Sequence, residues 1–483
     1  MIKGLLSKFL GKKSKINKSP NSNDKKYVSA HKDLVQANRY LKAGYDSAGT
    51  SNELDNRWTT VSSGTFDSIA TPGVRKNLRD RARDEICNNC NAIGIIRTLV
   101  NDTVGTQVNL QVQTGDPVLD TIIEREFKNW SEAVSLVENL QVARKSRIES
   151  GEVFFIKKNN PKLDSLFQLD FQLLEPEYVT SYGNIKRNDV FQNIDGVLVG
   201  KHGDILGYMI NTSGKEVFHS ASKVIQYIRK DRPTQYRGVP EITQALSLFV
   251  MHRRFANAVL AAAETAANFA VLLQTDGSAG EYDIGDDYET VEVQSRSIMT
   301  MPEGYKGLQL KAEQPTTTYS EYNREIIHQL AQCFQMPFIF AYGDSSDANY
   351  SSHRGDFQRY FKALLVEREI IEHQILNNLL SDWWQEAKVI IPGAGQYETT
   401  KELNYSWYWD GFEHIDPKKE ADANVILKNA GLLTDKDYFS GKGQDWQKKY
   451  IQLSKEKKER ERLNLLVQDT IDENIQEEIE DDE

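Results

Sequence analysis

The sequence predicts a mainly helical α+β fold, and three features of the chain support this prediction. Several long stretches repeat apolar residues at helical spacing, with a capping signal at the start or a break at the end. A middle block alternates apolar and polar residues in short runs, which is typical of strands. Both ends of the chain are highly charged and poor in packing residues, which is typical of solvated segments.

The helical stretches differ in how clearly their ends are marked. The first strong one, residues 71–103, begins with the cap and proline pair Thr71-Pro72 and ends before Gly105. The second, residues 120–150, stops at Gly151. Further helices are predicted at residues 32–41, 240–269, 319–335, 357–388, 416–429 and 446–462.

The helix predicted at residues 240–269 is rich in alanine, which occurs eight times between residues 256 and 270. Alanine is the best helix former, and its small side chain lets neighbouring helices approach closely. The pattern suits either an ordinary buried helix or a helix packed against copies of itself in a ring. The residues alone leave both interpretations open.

The strand candidates are short. In the first half of the chain they lie at residues 108–112, 153–156, 166–174, 178–180, 207–211 and 224–227. Two more are predicted at residues 291–301 and 307–311, and the aromatic run from Tyr405 to Phe412 is predicted to form a strand or a corner. With the helices between them, these strands indicate a mixed α+β middle block.

The charge of the chain is uneven. Its 483 residues carry a net charge of -11, which argues against non-specific gripping of DNA by a cationic surface. Residues 1–26 nevertheless carry eight lysines and one aspartate, and we expect a disordered basic arm there. Such an arm either contacts DNA, an acidic partner or a membrane face, or is simply solvated. Residues 463–483 carry nine acidic residues and no basic one, and form a predicted acidic tail.

Motifs that would indicate an enzyme are missing from the sequence. It contains no GxxxxGK[ST], HExxH, GxSxG or GxGxxG pattern. Cys87 and Cys90 form a CxxC, but no second pair or suitably spaced histidines accompany it, so a zinc site is not expected. The most apolar stretch, residues 255–273, contains polar side chains and is a poor bilayer span. We therefore expect no catalysis, no metal or cofactor, and no membrane insertion.

Several segments, in order, are similar to the lambda family of phage portal proteins. Each segment alone is a weak signal, but their order and spacing together are specific. They are Arg57-Trp58, residues 78–84 (LRDRARD), 99–106 (LVNDTVGT), 147–154 (RIESGEVF), 237–240 (RGVP) and 301–304 (MPEG), then Gln335-Met336-Pro337, Gly343-Asp344, residues 349–352 (NYSS), Arg354, Trp409 and residues 416–421 (DPKKEA). Gln107 stands where the family commonly has a second glycine, which affects only a local turn.

The resemblance implies a portal-type fold, in which subunits form a ring, usually of twelve. Each subunit would have a wing, a two-helix stem, a clip, a tunnel loop and a helical crown. On this chain these parts map as follows: disordered basic arm 1–26, wing 27–236, first stem helix 240–270, clip 271–316, second stem helix 317–336, tunnel loop 337–352, long helix and wing return 353–415, crown 416–465 and acidic disordered tail 466–483.

Two groups of site residues follow from the resemblance. The tunnel loop would place small polar and acidic residues toward DNA: Gly343, Asp344, Ser345, Ser346, Asn349, Tyr350, Ser351 and Ser352. The clip would offer acidic residues to the terminase or the head-tail adaptor: Asp276, Glu281, Asp283, Asp286 and Asp287. Without the resemblance, both segments would be interpreted as ordinary solvated loops.

The implied function is a conduit for double-stranded DNA at one capsid vertex, working in packaging and ejection without reading sequence. Its implied partners are copies of itself in a dodecamer, the terminase large subunit, the head-tail adaptor, and the major capsid or scaffold protein. The implied location is the virion portal vertex, and the host cytoplasm during assembly. The alternative is a minor capsid or scaffolding protein built from similar helices. A nuclease or terminase subunit is a further rival, which would need a P-loop or a cluster of metal-binding carboxylates.

Overall fold

A computed structural model describes most of the chain after residue 63. The described residues are 64–180, 189–212, 214–268, 272–275, 305–308, 316–344, 350–412, 417–463 and 465. The chain divides into two compact units, Met1–Thr65 and Phe66–Glu483, and every element described belongs to the second. The predicted basic arm, the helix at 32–41, the strand at 291–301 and the tail at 466–483 lie outside the described residues.

Helices make up most of the described structure, as the sequence predicts. In chain order they are α1 (Phe66–Ile69), α2 (Pro72–Asn88), α3 (Cys90–Val104), α4 (Pro117–Ala133), α5 (Leu136–Ser150), α6 (Leu246–Asn268), α7 (Thr316–Cys333), α8 (Phe338–Tyr342), α9 (Tyr350–Ile371), α10 (Asn377–Ile390), α11 (Pro417–Asn429), α12 (Asp435–Gly441) and α13 (Trp446–Arg462).

The described strands are short and form small antiparallel sheets. They are β1 (Val108–Gln111), β2 (Glu152–Asn159), β3 (Leu169–Leu174), β4 (Gln192–Ile194), β5 (Val197–Val199), β6 (Ile205–Thr212), β7 (Lys215–Ser220), β8 (Val224–Ile228), β9 (Leu272–Thr275), β10 (Tyr305–Leu308) and β11 (Ser406–Trp409). Their orders are β3-β2-β8, β4-β5-β6-β7, β1-β11 and β9-β10. The sequence patterns missed β4, β5, β7 and β9, which are short or lie in a glycine-rich block.

An aromatic core joins distant parts of the chain. Trp130 of α4 and Trp383 and Trp384 of α10 are fully buried. The ring of Phe127 meets Trp383 edge-on at 5.2 Å between centroids, and the Trp130 Nε1–H donates to the backbone oxygen of Leu169 at 2.7 Å. Each buried indole contributes a large apolar area, so this core is a main source of the stability of the unit.

Two further clusters complete the core. One lies among α2, α3, α6, α7 and α9, where Ile96, Phe249, Leu330 and Leu364 are buried. The other lies between the sheet containing β2 and the four-stranded sheet. These clusters place the start of α6 inside the body of the molecule.

Two helices predicted as continuous are each broken into a pair. Residues 71–103 divide at Asn89, whose extended backbone ends α2 and whose side chain accepts a hydrogen bond from the Asn91 amide at 3.0 Å to cap α3. Residues 120–150 divide at Ser135, which has a φ of +49°. Asparagine and serine bond readily to nearby backbone, so helical spacing alone did not reveal these breaks.

A π-helical turn, Glu372–Leu376, lies inside the helix predicted at residues 357–388. There, the Gln374 side chain accepts a hydrogen bond from the Ile228 amide at 3.0 Å. It also donates one to the Ile228 carbonyl at 3.0 Å. The helix therefore joins α9 and α10 through a turn that holds the end of β8.

Two other predictions need correction. Residues 178–180 form no strand: Pro176–Tyr178 is a 3-10 turn, and Val179 makes only an isolated bridge to Ile210. The helix predicted from residue 240 begins as a 3-10 turn, Glu241–Gln244, with α6 following at Leu246. Pro176 is the first residue of the first turn, and the extended ψ of Pro240, 131°, places this residue before the second turn rather than in a helix.

The C-terminal helices α11, α12 and α13 bury none of their side chains completely. The prediction that residues 446–462 form an exposed charged helix is confirmed by α13. Among the described residues, no helix combines the length and apolar character that a bilayer crossing requires.

Candidate functional site: the base of α6 and the segment after α8

The backbones of two glycines meet where the chain enters α6. A Cβ atom on Gly238 would lie 2.2 Å from the carbonyl oxygen of Gly151, closer than any side chain can approach. Gly151 has a φ of +89°, which glycine adopts without strain and which ends α5. The RIESGEVF and RGVP segments are therefore in direct contact, although they are far apart in the sequence.

Arg237, beside this contact, is completely buried. Its Nε donates to Glu152 Oε1 at 2.7 Å, and its Nη1 donates to the carbonyl of Val179 at 3.0 Å. The same guanidinium lies 3.2 Å from the Asp195 carboxylate. Because a buried guanidinium needs several acceptors, Arg237 ties the two sheets to the segment that leads into α6.

A cluster of four charges, the α6-base cluster, lies just after this segment and comprises the buried Arg144 and Arg147 and the partly buried Glu241 and Glu367. Glu241 pairs with Arg144 at 3.0 Å and with Arg147 at 2.6 Å. Glu367 of α9 pairs with the same two arginines. The cluster thus joins α5, the start of α6 and α9 with two positive and two negative groups.

Electrostatic interactions within the α6-base cluster keep the Glu241 carboxylate ionised. Burial alone would raise the pKa of Glu241, but the guanidinium groups of Arg144 and Arg147 lower it to about 2. Burial also raises the pKa of Tyr227, whose ring lies 4.4 Å from the Arg147 guanidinium carbon. The opposite charges of the cluster pair with one another, so we interpret it as a structural anchor rather than a reactive site.

The arginine-rich helix α2 makes a second set of ion pairs. Arg79 Nε lies 2.8 Å from Glu177 Oε1, and Arg83 Nη2 lies 3.1 Å from Glu177 Oε2. On the same helix, Glu85 accepts a bond of 2.6 Å from Arg253 of α6. Helix α2 therefore holds the 3-10 turn Pro176–Tyr178 through the LRDRARD segment and is linked to α6 through the next residue, Glu85.

The end of α3 is clamped by Arg368 of α9. The guanidinium donates to the backbone oxygens of Thr103 at 2.8 Å, Asp410 at 2.9 Å and Asp102 at 3.1 Å. It also lies 4.7 Å from the centroid of the Phe412 ring. Because the last carbonyls of a helix lack internal partners, a cation placed there stabilises the helix end.

The predicted tunnel loop, residues 337–352, is a loop only in part. Residues 338–342 form the short helix α8 because its aromatic side chains pack on the core, and α9 already begins at Tyr350. Gly343 ends α8 with a φ of +75° and donates its amide to the Ile339 carbonyl at 2.9 Å. No atom would obstruct a Cβ at Gly343, so its backbone conformation is what favours glycine.

Aromatic stacking holds helix α8, at the start of this segment, on both sides. Phe338 stacks on His328 of α7 with centroids 3.8 Å apart. Phe340 lies 5.1 Å from Phe357 and 5.5 Å from Tyr360, both on α9. Helix α8 is therefore held between α7 and α9, and the two residues that follow it, Gly343 and Asp344, are exposed.

Tyr360 also connects α9 to the end of α3, because its hydroxyl donates to Asp102 Oδ2 at 2.8 Å. Burial raises the pKa of Asp102, and the hydrogen bond from Tyr360 partly offsets this shift. Burial, followed by the nearby Asp102 carboxylate, raises the pKa of Tyr360. The LVNDTVGT segment is thus bound to α9 through the side chain of Asp102 as well as through its backbone.

The structure brings together only part of the predicted site. Gly343 and Asp344 lie at the end of α8, and Tyr350, Ser351 and Ser352 are the first residues of α9. Ser345, Ser346 and Asn349 lie outside the described residues, and so do all five clip residues: Asp276, Glu281, Asp283, Asp286 and Asp287. The clip segment is joined to the described structure where Thr275 of β9 pairs with Tyr305 of β10.

Within the described ranges, no group of three or more histidine, cysteine, aspartate or glutamate side chains could hold a metal ion. Cys87 and Cys90 are exposed and unpaired as disulfides, on two different helices rather than on one helix face. None of Arg144, Arg147, Glu241 and Glu367 was predicted to be a site residue, although Arg147 begins the RIESGEVF segment. The sequence could have indicated them only through charged residues on the apolar face of a predicted helix, and that indication is weak.

Comparison with known proteins identifies the family. The sequence model of the phage portal proteins of the lambda family matches residues 51–368. A probable portal protein of Halomonas phage phiHAP-1 is 23% identical over 461 residues, covering 85% of this chain and 86% of the relative. The portal protein of Escherichia phage N15 is 20% identical over 344 residues, covering 62% and 64%.

Solved structures with a similar course of the chain include a protein in the neck of an empty gene transfer agent particle. It is 12% identical, with a TM-score of 0.46, and 77% of this chain and 94% of that one are covered. An HK97-family phage portal protein from Corynebacterium diphtheriae is 10% identical with a TM-score of 0.29, over 74% and 98%. From the match over residues 51–368, the chain belongs to the lambda family of phage portal proteins.

Proposed function

We propose that twelve copies of this chain form a closed ring at one vertex of a phage capsid. Double-stranded DNA would pass through the ring during packaging and ejection, without sequence-specific contacts or a catalytic step by the portal subunit. Membership of the portal family carries this proposal, and an exposed surface of the subunit supports ring formation.

That surface is the outer part of α6. Of residues 246–264, whose side chains are described, only Phe249 is buried. Val250, Met251 and Leu260 are 44%, 49% and 58% exposed. A long helix that stays this exposed in one subunit is expected to pack against other copies, because small and apolar side chains favour close helix contacts.

Helix α7 runs back along α6 and completes a two-helix unit. Phe255 contacts Tyr319 and Tyr322 of α7, with centroids 5.7 Å and 4.1 Å apart. Earlier on α6, His252 bonds to Asn323, so the contacts run in opposite directions along the two helices. This antiparallel pair suits the two stem helices that the family resemblance implies.

In this proposal the segment from Gly343 to Ser352 faces the DNA. Gly343 and Asp344 are exposed, and the small polar residues of the segment suit weak contact with a sliding phosphate backbone, to which Asp344 adds repulsion. The acidic clip residues would contact the terminase large subunit and the head-tail adaptor, and the wing would contact the major capsid or scaffold protein. The portal vertex of the virion would be its location, with assembly in the host cytoplasm.

Electron microscopy of the purified full chain tests the ring. Rings with twelve-fold symmetry and a central channel are the expected result, with Gly343 near the channel in a cryo-electron map. A homogeneous monomer under every condition tried, or an outer position for Gly343, would contradict the proposal.

Copy number in the particle separates a portal from a minor capsid or scaffolding protein. A twelve-membered ring at a single vertex contributes about twelve copies per particle, whereas a shell protein is repeated over the whole capsid and is far more abundant. Quantitative mass spectrometry against the major capsid protein would measure this ratio.

A further inference from the structure

A cleft lined by four cationic side chains lies where β8 ends beside α9. Arg229, Lys230, Arg359 and Lys362 line this cationic cleft, which has a volume of about 690 Å³, and all four are exposed. Arg229 pairs with the neighbouring Asp231 at 2.8 Å. Among the described residues, no carboxylate forms an ion pair with the other three cations. The cleft is therefore a local concentration of positive charge on an acidic protein.

The floor of the cationic cleft is apolar and rigidly held. Ile228, Ala363, Val366 and Ile370 line it, and Val366 is 53% exposed. The two hydrogen bonds between Gln374 and the backbone of Ile228 fix one wall against the π turn. The cleft thus combines a preformed aliphatic surface with a charged rim.

The carboxylate of Glu367 does not neutralise this rim. Glu367 lines the cleft, but its oxygens are directed to Arg144 and Arg147 of the α6-base cluster. Its side chain is only 16% exposed. The cleft therefore attracts an anionic ligand. Its aliphatic floor favours a ligand that also has apolar groups to bury there.

One segment of this chain has both properties. Residues 467–483 contain nine acidic residues and no basic one. Four aliphatic residues recur at every fourth position among them: Val467, Ile471, Ile475 and Ile479. Positions four apart share one face of a helix, so this spacing gives an aliphatic stripe bordered by carboxylates.

We propose that residues 467–483 of this chain bind in the cationic cleft, in the same subunit or in another copy. The aliphatic stripe would lie on Val366 and Ile370, and the carboxylates would pair with Lys230, Arg359 and Lys362. As a helix, residues 467–483 would be about 26 Å long. This inference goes beyond the proposed function, because the ring could form with or without such docking.

The observations favour this segment over two other anions. A DNA backbone offers phosphates but no aliphatic groups for the floor, and a cleft of about 690 Å³ suits a peptide segment better than a duplex. The acidic segment at residues 276–292 is interrupted by glycines at 277, 280 and 285 and has no regular aliphatic repeat.

Carbodiimide crosslinking of the assembled full chain tests the proposal, because this reagent joins carboxylates directly to touching lysines. No lysine or arginine follows Arg462, so trypsin releases residues 463–483 as one peptide. We expect this peptide to be joined mainly to Lys230 and Lys362. The exposed Lys162 and Lys201 are internal controls. An even distribution over exposed lysines, or links to the cleft from residues 276–292 instead, would overturn the proposal.

Charge reversal sharpens the test in the full chain. In R359E/K362E, the link between the tail peptide and Lys230 should fall about tenfold, since two attractions become repulsions. The control K162E/K201E should keep it, and an unchanged denaturation midpoint shows that both variants fold. An unchanged Lys230 link in R359E/K362E would reject the proposal. A second result would also reject it: the tail is not crosslinked, and added duplex DNA protects Lys230 and Lys362 from an acylating reagent. Ring counts by microscopy of the same samples report on the proposed function separately.

Discussion

The body of the molecule and the outer part of α6 are stabilised in opposite ways. The body buries three tryptophans and a set of paired charges within one chain. The outer part of α6 leaves apolar side chains exposed and contacts chiefly α7 and α2. The difference teaches that contacts within one chain stabilise the body, whereas the exposed side chains of α6 would be covered only in the proposed ring. The α6-base cluster lies at the boundary between the two regions.

The largest effect on stability is expected from breaking the α6-base cluster. In Glu241→Ala, Arg144 and Arg147 each lose a buried partner, and the free energy of unfolding should fall by about 3–5 kcal/mol. Chemical denaturation followed by tryptophan fluorescence measures this change. As a control, Glu132→Gln removes the exposed pair with Lys128 and should cost about 0.5 kcal/mol or less. Equal effects of the two substitutions would show that the cluster is not a special anchor.

The same cluster predicts how the body responds to acid. The folded-state pKa of Glu241 is lowered from the usual 4.5 to about 2. Its stabilising contribution is therefore present above about pH 4.5 and is lost as the pH falls from there toward about pH 2. Denaturation midpoints measured through this window should fall more steeply for the natural chain than for Glu241→Gln. Parallel curves would assign the acid sensitivity to other carboxylates.

A smaller effect is expected at the end of α8, where two glycines differ in backbone conformation. Gly343→Ala should cost about 1 kcal/mol, because a φ of +75° is unfavourable for alanine. Gly355→Ala, inside α9 with no atom within 4 Å of the added Cβ, should instead stabilise the chain by about 0.5–1 kcal/mol. Opposite signs in thermal denaturation are the expected outcome; the same sign for both would contradict the argument.

The smallest effect on the folding of a single chain, and the largest on assembly, is expected on α6. Leu260→Glu should change the free energy of unfolding of the body by less than about 0.5 kcal/mol, since the residue is already exposed. It should nevertheless lower the fraction of rings seen by microscopy. Val389→Glu on α10 provides the comparison, because Val389 is 80% exposed but lies on the body. Loss of rings in both variants, or in neither, would show that ring formation does not depend specifically on the exposed face of α6.

Much of the fold could be predicted from the sequence, because helix ends carry local signals. The Thr71-Pro72 start, the Gly151 stop and the charged helix α13 are set by capping and composition. Breaks at Asn89 and Ser135 were missed because a single polar residue within a helical pattern is ambiguous. Helix α8 was missed because its packing partners, His328 and Tyr360, are distant in the sequence.

The site was predicted less completely than the fold, for a physical reason. A charged residue at a helical position does not reveal whether it is buried, and Arg147 and Glu241 become partners only when α5 and α6 meet. By contrast, Gly238 could be singled out from the RGVP segment, and the structure explains it by its contact with Gly151. The clip residues and most of the tunnel-loop residues stay predictions.

The π turn at Glu372–Leu376 sets the angular phase between two stretches of helix. Each residue advances an α-helix by about 100°, so removing the extra residue would rotate everything downstream by that angle. Trp383 and Trp384 would then turn out of the aromatic core, while Arg368 upstream would keep its place. Over evolutionary time, this stretch should therefore tolerate exchanges of side chains more readily than any change in length.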